Sequence, residues 1–198
     1  MAAIPSFPHS GGSAMAEIKQ SNPNCFADLD LKLKQLDGFS SKVGWFDSAK
    51  YEESGTSIAY VASIQEFGAP GKSIPPRPFM RPAQIKNEQK WRDTAAFAAK
   101  KVLDGSYSGR DAMDLLGETA QGDIIKAIED VMSPPLSMVT LLARKARRAG
   151  QKVTGKTIGM FYKQLSKGPP DVSGVSTKPL IDSGDLIAHV TNLTESSR

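Results

Sequence analysis

The sequence is poor in the residues that build covalent or metal-bound scaffolds. A single cysteine, Cys25, excludes an intrachain disulfide, and it excludes a four-cysteine or two-cysteine, two-histidine zinc site. Two histidines, His9 and His189, are too few for a three-histidine metal centre within one chain. No run of 18 apolar residues exists: the longest uncharged apolar stretch, Val131 to Ala143, is broken by Pro134-Pro135, so no membrane span is expected. The beginning of the chain lacks a basic segment followed by an apolar one, and a secretory leader is not expected. These absences describe a soluble protein made in a reducing cytoplasm.

What is present fits one folded domain with appendages. The chain has 198 residues, of which 39% are hydrophobic and 23% charged, close to ordinary globular usage. The net charge is +4, and its distribution says more than its size. Between Pro76 and Lys101 lie Arg77, Arg81, Lys86, Lys90, Arg92, Lys100 and Lys101 against two acids, Glu88 and Asp93. Between Val139 and Thr157 lie Arg144, Lys145, Arg147, Arg148, Lys152 and Lys156 and no acid. Such blocks read either as solvated helix faces or as surfaces facing DNA or an acidic protein.

Residues 1–24 are rich in Pro, Ser, Gly and Ala and read as an arm that is disordered alone. Phe26 to Leu36 supports both periodicities; Asp28 and Asp30 near its start and Gly38 at its end favour a helix. Ser41 to Asp47, with Val43, Trp45 and Phe46, predicts a short strand. Ile58 to Phe67 predicts a helix stopped by Gly68. Five prolines from Pro70 to Pro82 predict an extended loop. Ala83 to Leu103 and Asp111 to Met132 carry apolar residues at helical spacing and predict two long helices. Ser137 is placed to cap a third, Met138 to Arg148. Gly150 to Thr177 is Gly-, Lys- and Ser-rich with one apolar patch at 158–165, and reads as a basic insertion over 143–175. Leu186 to Val190 is a short strand or a helical turn, and 192–198 a tail. The fold class is α+β: a small, mainly antiparallel sheet packed by two long helices, with an N-terminal arm and an inserted basic loop. The single folded domain is expected over 25–191.

One motif points to nucleotide chemistry. Gly150-Gln-Lys-Val-Thr-Gly-Lys-Thr157 satisfies every fixed position of the phosphate-loop pattern, in which backbone N–H groups wrap phosphates, the lysine reaches the outer ones and the hydroxyl binds magnesium. That loop needs a buried parallel strand leading into it. Here Ala143 to Ala149 leads in with four charges in seven residues, which no central strand tolerates. The plainer reading of 150–157 is a flexible basic loop. His189, Cys25 and the paired acids Asp182/Asp185 and Glu52/Glu53 form no nucleophile or acid–base constellation. Glu66, just before Phe67-Gly68, reads as a cap or an arginine partner. No catalytic, cofactor or metal residue is singled out.

Ile64-Gln-Glu-Phe-Gly68, followed by Ile74-Pro-Pro-Arg-Pro-Phe-Met-Arg-Pro82, resembles the signature of a phage family. The family is the neck, tail-completion or minor tail proteins of tailed bacteriophages, described as virion morphogenesis or head–tail joining proteins. Val43-Gly-Trp45 is similar to its early strand, and Leu116-Gly117 with the helix that follows is similar to a further segment of the family. Pro134-Pro-Leu-Ser137 with Thr140-Leu141, and Lys178-Pro-Leu-Ile-Asp-Ser-Gly-Asp-Leu186, are similar to its later elements. The likeness spans residues 41–145 and 176–191; the arm and the basic stretch 143–175 are additional. The resemblance implies a structural protein of the virion neck or upper tail, without catalysis or cofactor. It implies a homo-oligomeric ring, of six copies, around a DNA-width channel. Its neighbours would be connector, adaptor, tail-terminator or tube proteins, with genomic double-stranded DNA nearby held weakly and without sequence preference, and no membrane. The location implied is the virion, and the host cytoplasm during assembly. The residues expected at interfaces are Arg77, Phe79 and Arg81 on the stiff proline loop and Arg144, Arg147 and Arg148 on the basic stretch. Phe79 either anchors a neighbour or plugs the chain's own core, with Arg77 and Arg81 then pairing locally. The rival readings are a nucleic-acid-binding protein using 77–101 and 144–156, and a phosphate-loop nucleotide-binding protein using 150–157.

Overall fold

The computed structural model describes residues 25–46, 49–52 and 54–196. The arm expected over 1–24 lies outside them. The chain folds as α+β. Helix α1 (Cys25–Asp37) leads into strand β1 (Phe39–Gly44), and helix α2 (Ile58–Phe67) is followed by a single 3₁₀ turn (Pro70–Lys72). The long helices α3 (Met80–Leu103) and α4 (Gly109–Asp130) form an antiparallel hairpin, and α5 (Met138–Arg148) and α6 (Gly155–Leu165) follow. A short helix, α7 (Asp185–Ala188), precedes strand β2 (Thr191–Ser196). The two strands pair antiparallel from Phe39↔Ser196 to Gly44↔Thr191, so the sheet joins the two ends of the domain.

Helix boundaries follow from local chemistry. Ser108 and Asp111 form a reciprocal capping box at the start of α4, and Ser137 accepts the Thr140 N–H at the start of α5. Gly68 ends α2 at φ 77°, and a Cβ there would lie 2.9 Å from the Pro76 nitrogen. Helix α4 lies directly on the sheet because Gly117 has no side chain: a Cβ would come within 2.3 Å of Ser41 Oγ.

The main core gathers Ile58 and Ala62 of α2, Phe79 and Ala83 at the start of α3, Ile124 and Ile128 of α4, and Leu180, Leu186 and Val190 from the C-terminal segment. A second cluster joins Leu142, Ala143 and Ala146 of α5 to Phe161 of α6. A third joins Ala98 and Val102 of α3 to Ala112 of α4, with Leu36 of α1 against it.

Three sequence expectations are corrected. The proline loop ends earlier than Pro82: α3 begins at Met80, and Pro82 is accommodated in its first turn, where its missing N–H removes no intrahelical bond. The basic insertion is not one loop but a helical hairpin with its own core, because Thr154 and Thr157 box the start of α6 and Phe161 docks on α5. The tail expected over 192–198 is a strand as far as Ser196, with Thr194 buried beneath α4.

Candidate interface site

Several of the segments that carry the phage resemblance meet at one junction. Glu66 is 3% exposed, at the end of α2. Its Oε2 accepts the N–H groups of Phe79 (2.7 Å) and Met80 (3.0 Å), and its Oε1 accepts Arg81 Nε (2.8 Å). The carboxylate thus caps the N-terminus of α3, where orphan N–H donors and the helix dipole favour negative charge. Burial alone would push the Glu66 carboxyl up, but the bonds from Arg81 and the backbone outweigh it and hold the group below the ordinary carboxylate range. Phe79, held at this junction, is 1% exposed and meets the Trp45 ring edge-on at 5.5 Å between centroids. Trp45 Nε1 donates to the Leu186 carbonyl at 2.8 Å, tying in the C-terminal element.

Two buried arginines complete the junction. Arg77 is 6% exposed; its Nε donates to the Pro134 carbonyl (2.8 Å) and its Nη2 to that of Pro135 (3.2 Å). Arg144 is 4% exposed. Its Nη1 donates to the carbonyls of Ser176 (2.8 Å), Lys178 (2.8 Å) and Ile181 (2.9 Å), and its Nη2 to that of Pro179 (3.0 Å). Asp182 supplies countercharge, 3.5 Å from Arg144 Nε and 2.9 Å from Arg147 Nη2. Burial pulls both buried guanidiniums below their ordinary value, and at Arg144 the Asp182 charge opposes that pull.

Of the six residues expected at interfaces, three lie inside the chain. Phe79 is core, and Arg77 and Arg144 are internal ties, so none of them is a protruding anchor. Arg81 is partly exposed, paired to Glu66 and seated 5.0 Å from the Phe67 ring centroid. Arg147 is half-exposed on Asp182, and Arg148 is exposed and donates to the Gly174 carbonyl. The two basic blocks are largely engaged within the fold: Lys90 pairs with Asp123, Arg92 with Glu88, Lys101 with Asp104 and Lys145 with Asp171.

The phosphate-loop match sits between two helices rather than between a strand and a helix. Thr157 Oγ1 is drawn back to Thr154, and the Thr154 side chain takes the Thr157 N–H. The hydroxyl that would face magnesium, and one amide that would face phosphate, are therefore occupied by the cap. Among the described residues, no group of three or more His, Cys, Asp or Glu is placed to hold a metal, and no helix is long and apolar enough to cross a membrane.

Beside the junction lies an open cleft of about 820 Å³. Its lining carries four arginines (Arg77, Arg144, Arg147 and Arg148), three acids (Glu52, Asp182 and Asp185), Tyr51 and apolar surface from Ile74, Pro75, Pro135 and Leu136; Asp182 is the acid engaged by Arg144 and Arg147. Tyr51 is held above the ordinary phenol value by burial and then by the two aspartates. Sequence reasoning did not single out Gln65 or Tyr51. For Gln65 the signal was available: in α2, Ile58, Ala62 and Glu66 repeat every four residues and face the interior, which turns Val61 and Gln65, one position back, to the cleft. Comparison with protein-family models, with curated proteins and with solved structures yields no match to this chain.

Proposed function

We propose that the chain is a structural subunit of the neck or upper tail of a tailed-phage particle, joining head to tail as a member of a ring around the DNA channel. The observation that carries this reading is the convergence of the motifs. Glu66 ties the neighbouring segments 64–68 and 74–82 together, Arg77 joins them to the distant segment 134–141, and Arg144, just beyond that segment, ties in 178–186. Segments that resemble one family in order, and also cross-brace one another, support a shared fold rather than chance tetrapeptides. The role is assembly by shape, without catalysis or cofactor. The ring is homo-oligomeric, with six copies, and contacts connector, adaptor, tail-terminator or tube proteins. DNA passes nearby and is held weakly. The partly exposed Arg81, Arg147 and Arg148 remain accessible for contacts between subunits or with neighbours.

A conditional null allele of the encoding phage tests the reading. Under restrictive conditions, filled heads and tails should accumulate unjoined, or tails should fail to complete, and purified wild-type particles should contain the chain by mass spectrometry. Normal infectious particles lacking the chain would contradict it.

A further inference from the structure

The cleft has a chemical character that its own fold does not complete. Arg77 is a nearly buried guanidinium whose bonds run to two carbonyls, and no carboxylate pairs with it among the described residues. Arg144 shares its single countercharge, Asp182, with Arg147. Arg148, an exposed lining residue, meets only a carbonyl among the described residues. A buried cation without countercharge keeps a strong demand for an anion, because desolvation removes the water that would otherwise screen it. Gln65 lines the cleft, and its Oε1 is buried with no hydrogen-bond partner among the described residues, an acceptor requiring a donor. The terminal torsion of a glutamine is soft, so this amide turns toward the cleft at small cost. The same lining carries the stiff apolar surfaces of Ile74, Pro75, Pro135 and Leu136.

We infer that this cleft docks an extended, acidic peptide segment of a partner protein, with its carboxylates toward Arg77 and Arg148, a backbone N–H toward Gln65 and its apolar side chains against the proline wall. An inorganic anion meets only the first of these demands. A peptide meets all three, since it carries acids, N–H donors and apolar groups at alternating positions. Duplex DNA brings anions but no apolar side chains for the apolar lining and, outside its grooves, no N–H donors for Gln65, and its width suits an exposed basic face rather than a cleft. The inference concerns the isolated chain and does not depend on the particle reading.

The test uses the full chain and a fluorescein-labelled library of decapeptides with Glu or Asp at alternate positions and apolar residues between. A matched library carries Gln or Asn instead. Fluorescence anisotropy should show saturable binding of the acidic library, at least tenfold weaker binding of the amide library, and displacement by unlabelled acidic peptide but not by equimolar phosphate. Arg148→Glu, at an exposed lining position, should weaken binding at least tenfold, whereas Arg92→Glu, which does not line the cleft, should leave it unchanged. Arg77→Lys keeps the charge but loses the fork, and should weaken binding with an unaltered far-UV spectrum. Equal binding of both libraries, no binding of either, insensitivity to Arg148→Glu, or preferential binding of duplex DNA at the same site would overturn the inference.

Discussion

Replacing Arg144 by Met gives the sharpest test of the view that the basic stretch is internal scaffolding in part. The guanidinium reaches the carbonyls of Ser176, Lys178, Pro179 and Ile181 at 2.8–3.0 Å and lies 3.5 Å from Asp182. Hydrogen bonds to a charged group contribute about 1.5–3 kcal/mol each. Four of them are not additive, because one desolvated guanidinium serves all four. Methionine fills a similar volume but leaves the carbonyls unpaired and strips Asp182 of one of its two arginines. Removing one member of a buried charged set costs about 3–5 kcal/mol. For a chain of this size that lowers the melting temperature by roughly 6–20 °C. Arg148→Ala, which removes an exposed side chain with one carbonyl contact, should stay within about 0.5 kcal/mol of the parent. Thermal and urea unfolding followed by far-UV circular dichroism measure both. An Arg144→Met protein melting within 2 °C or so of the parent, or an Arg148→Ala protein losing as much, would refute the division between buried tie and exposed arginine.

Further consequences follow from the same junction. Phe79→Ala should cost about 3–5 kcal/mol, measured by urea unfolding, since a buried ring against Trp45 leaves a cavity that its neighbours cannot close; a change under about 1 kcal/mol would remove Phe79 from the core. The Glu66 carboxyl is held below its ordinary value in the fold, so its contribution is present above the ordinary carboxylate range and is lost as the pH falls through the folded value. Glu66→Gln should therefore be clearly less stable than the parent at pH 7, with the gap closing below about pH 4; a gap independent of pH would count against the charged cap. Isothermal calorimetry with Mg-ATP should detect no saturable binding, because Thr154 and Thr157 are engaged in capping α6; binding that disappears in Lys156→Ala would reinstate a phosphate loop.

How much was legible in the sequence depended on what held each element together. Helices α2 to α5 announce themselves through local signals: Gly68 after α2, the helical spacing of Leu116, Ala120 and Ile124 in α4, and Ser137 at the start of α5. Strand β2 carries no such signal. Thr-Asn-Leu-Thr-Glu-Ser is polar, exposes Leu193 and buries Thr194, and it is a strand because β1 pairs with it from the far end of the chain. Helix α6 hides behind Gly155 and Gly159, and its reason for forming is tertiary, the docking of Phe161 on α5. The role of Glu66 as a cap and arginine partner was readable from its place beside Phe67-Gly68. The burial of Arg144 was not, because its partners are backbone carbonyls 32 to 37 residues away, which leave no mark in side-chain patterns. The cleft was invisible for the same reason: its walls come from segments that meet only in the folded chain.

The central claim, that the chain is a ring subunit at the head–tail junction, is tested most directly by a cryo-EM map of the intact particle. The account predicts density for the α3–α4 hairpin and its two-stranded sheet repeated about the tail axis, six times, in the neck or uppermost tail. A map of that region fully explained by other proteins, with no copy of this fold around the channel, would contradict it.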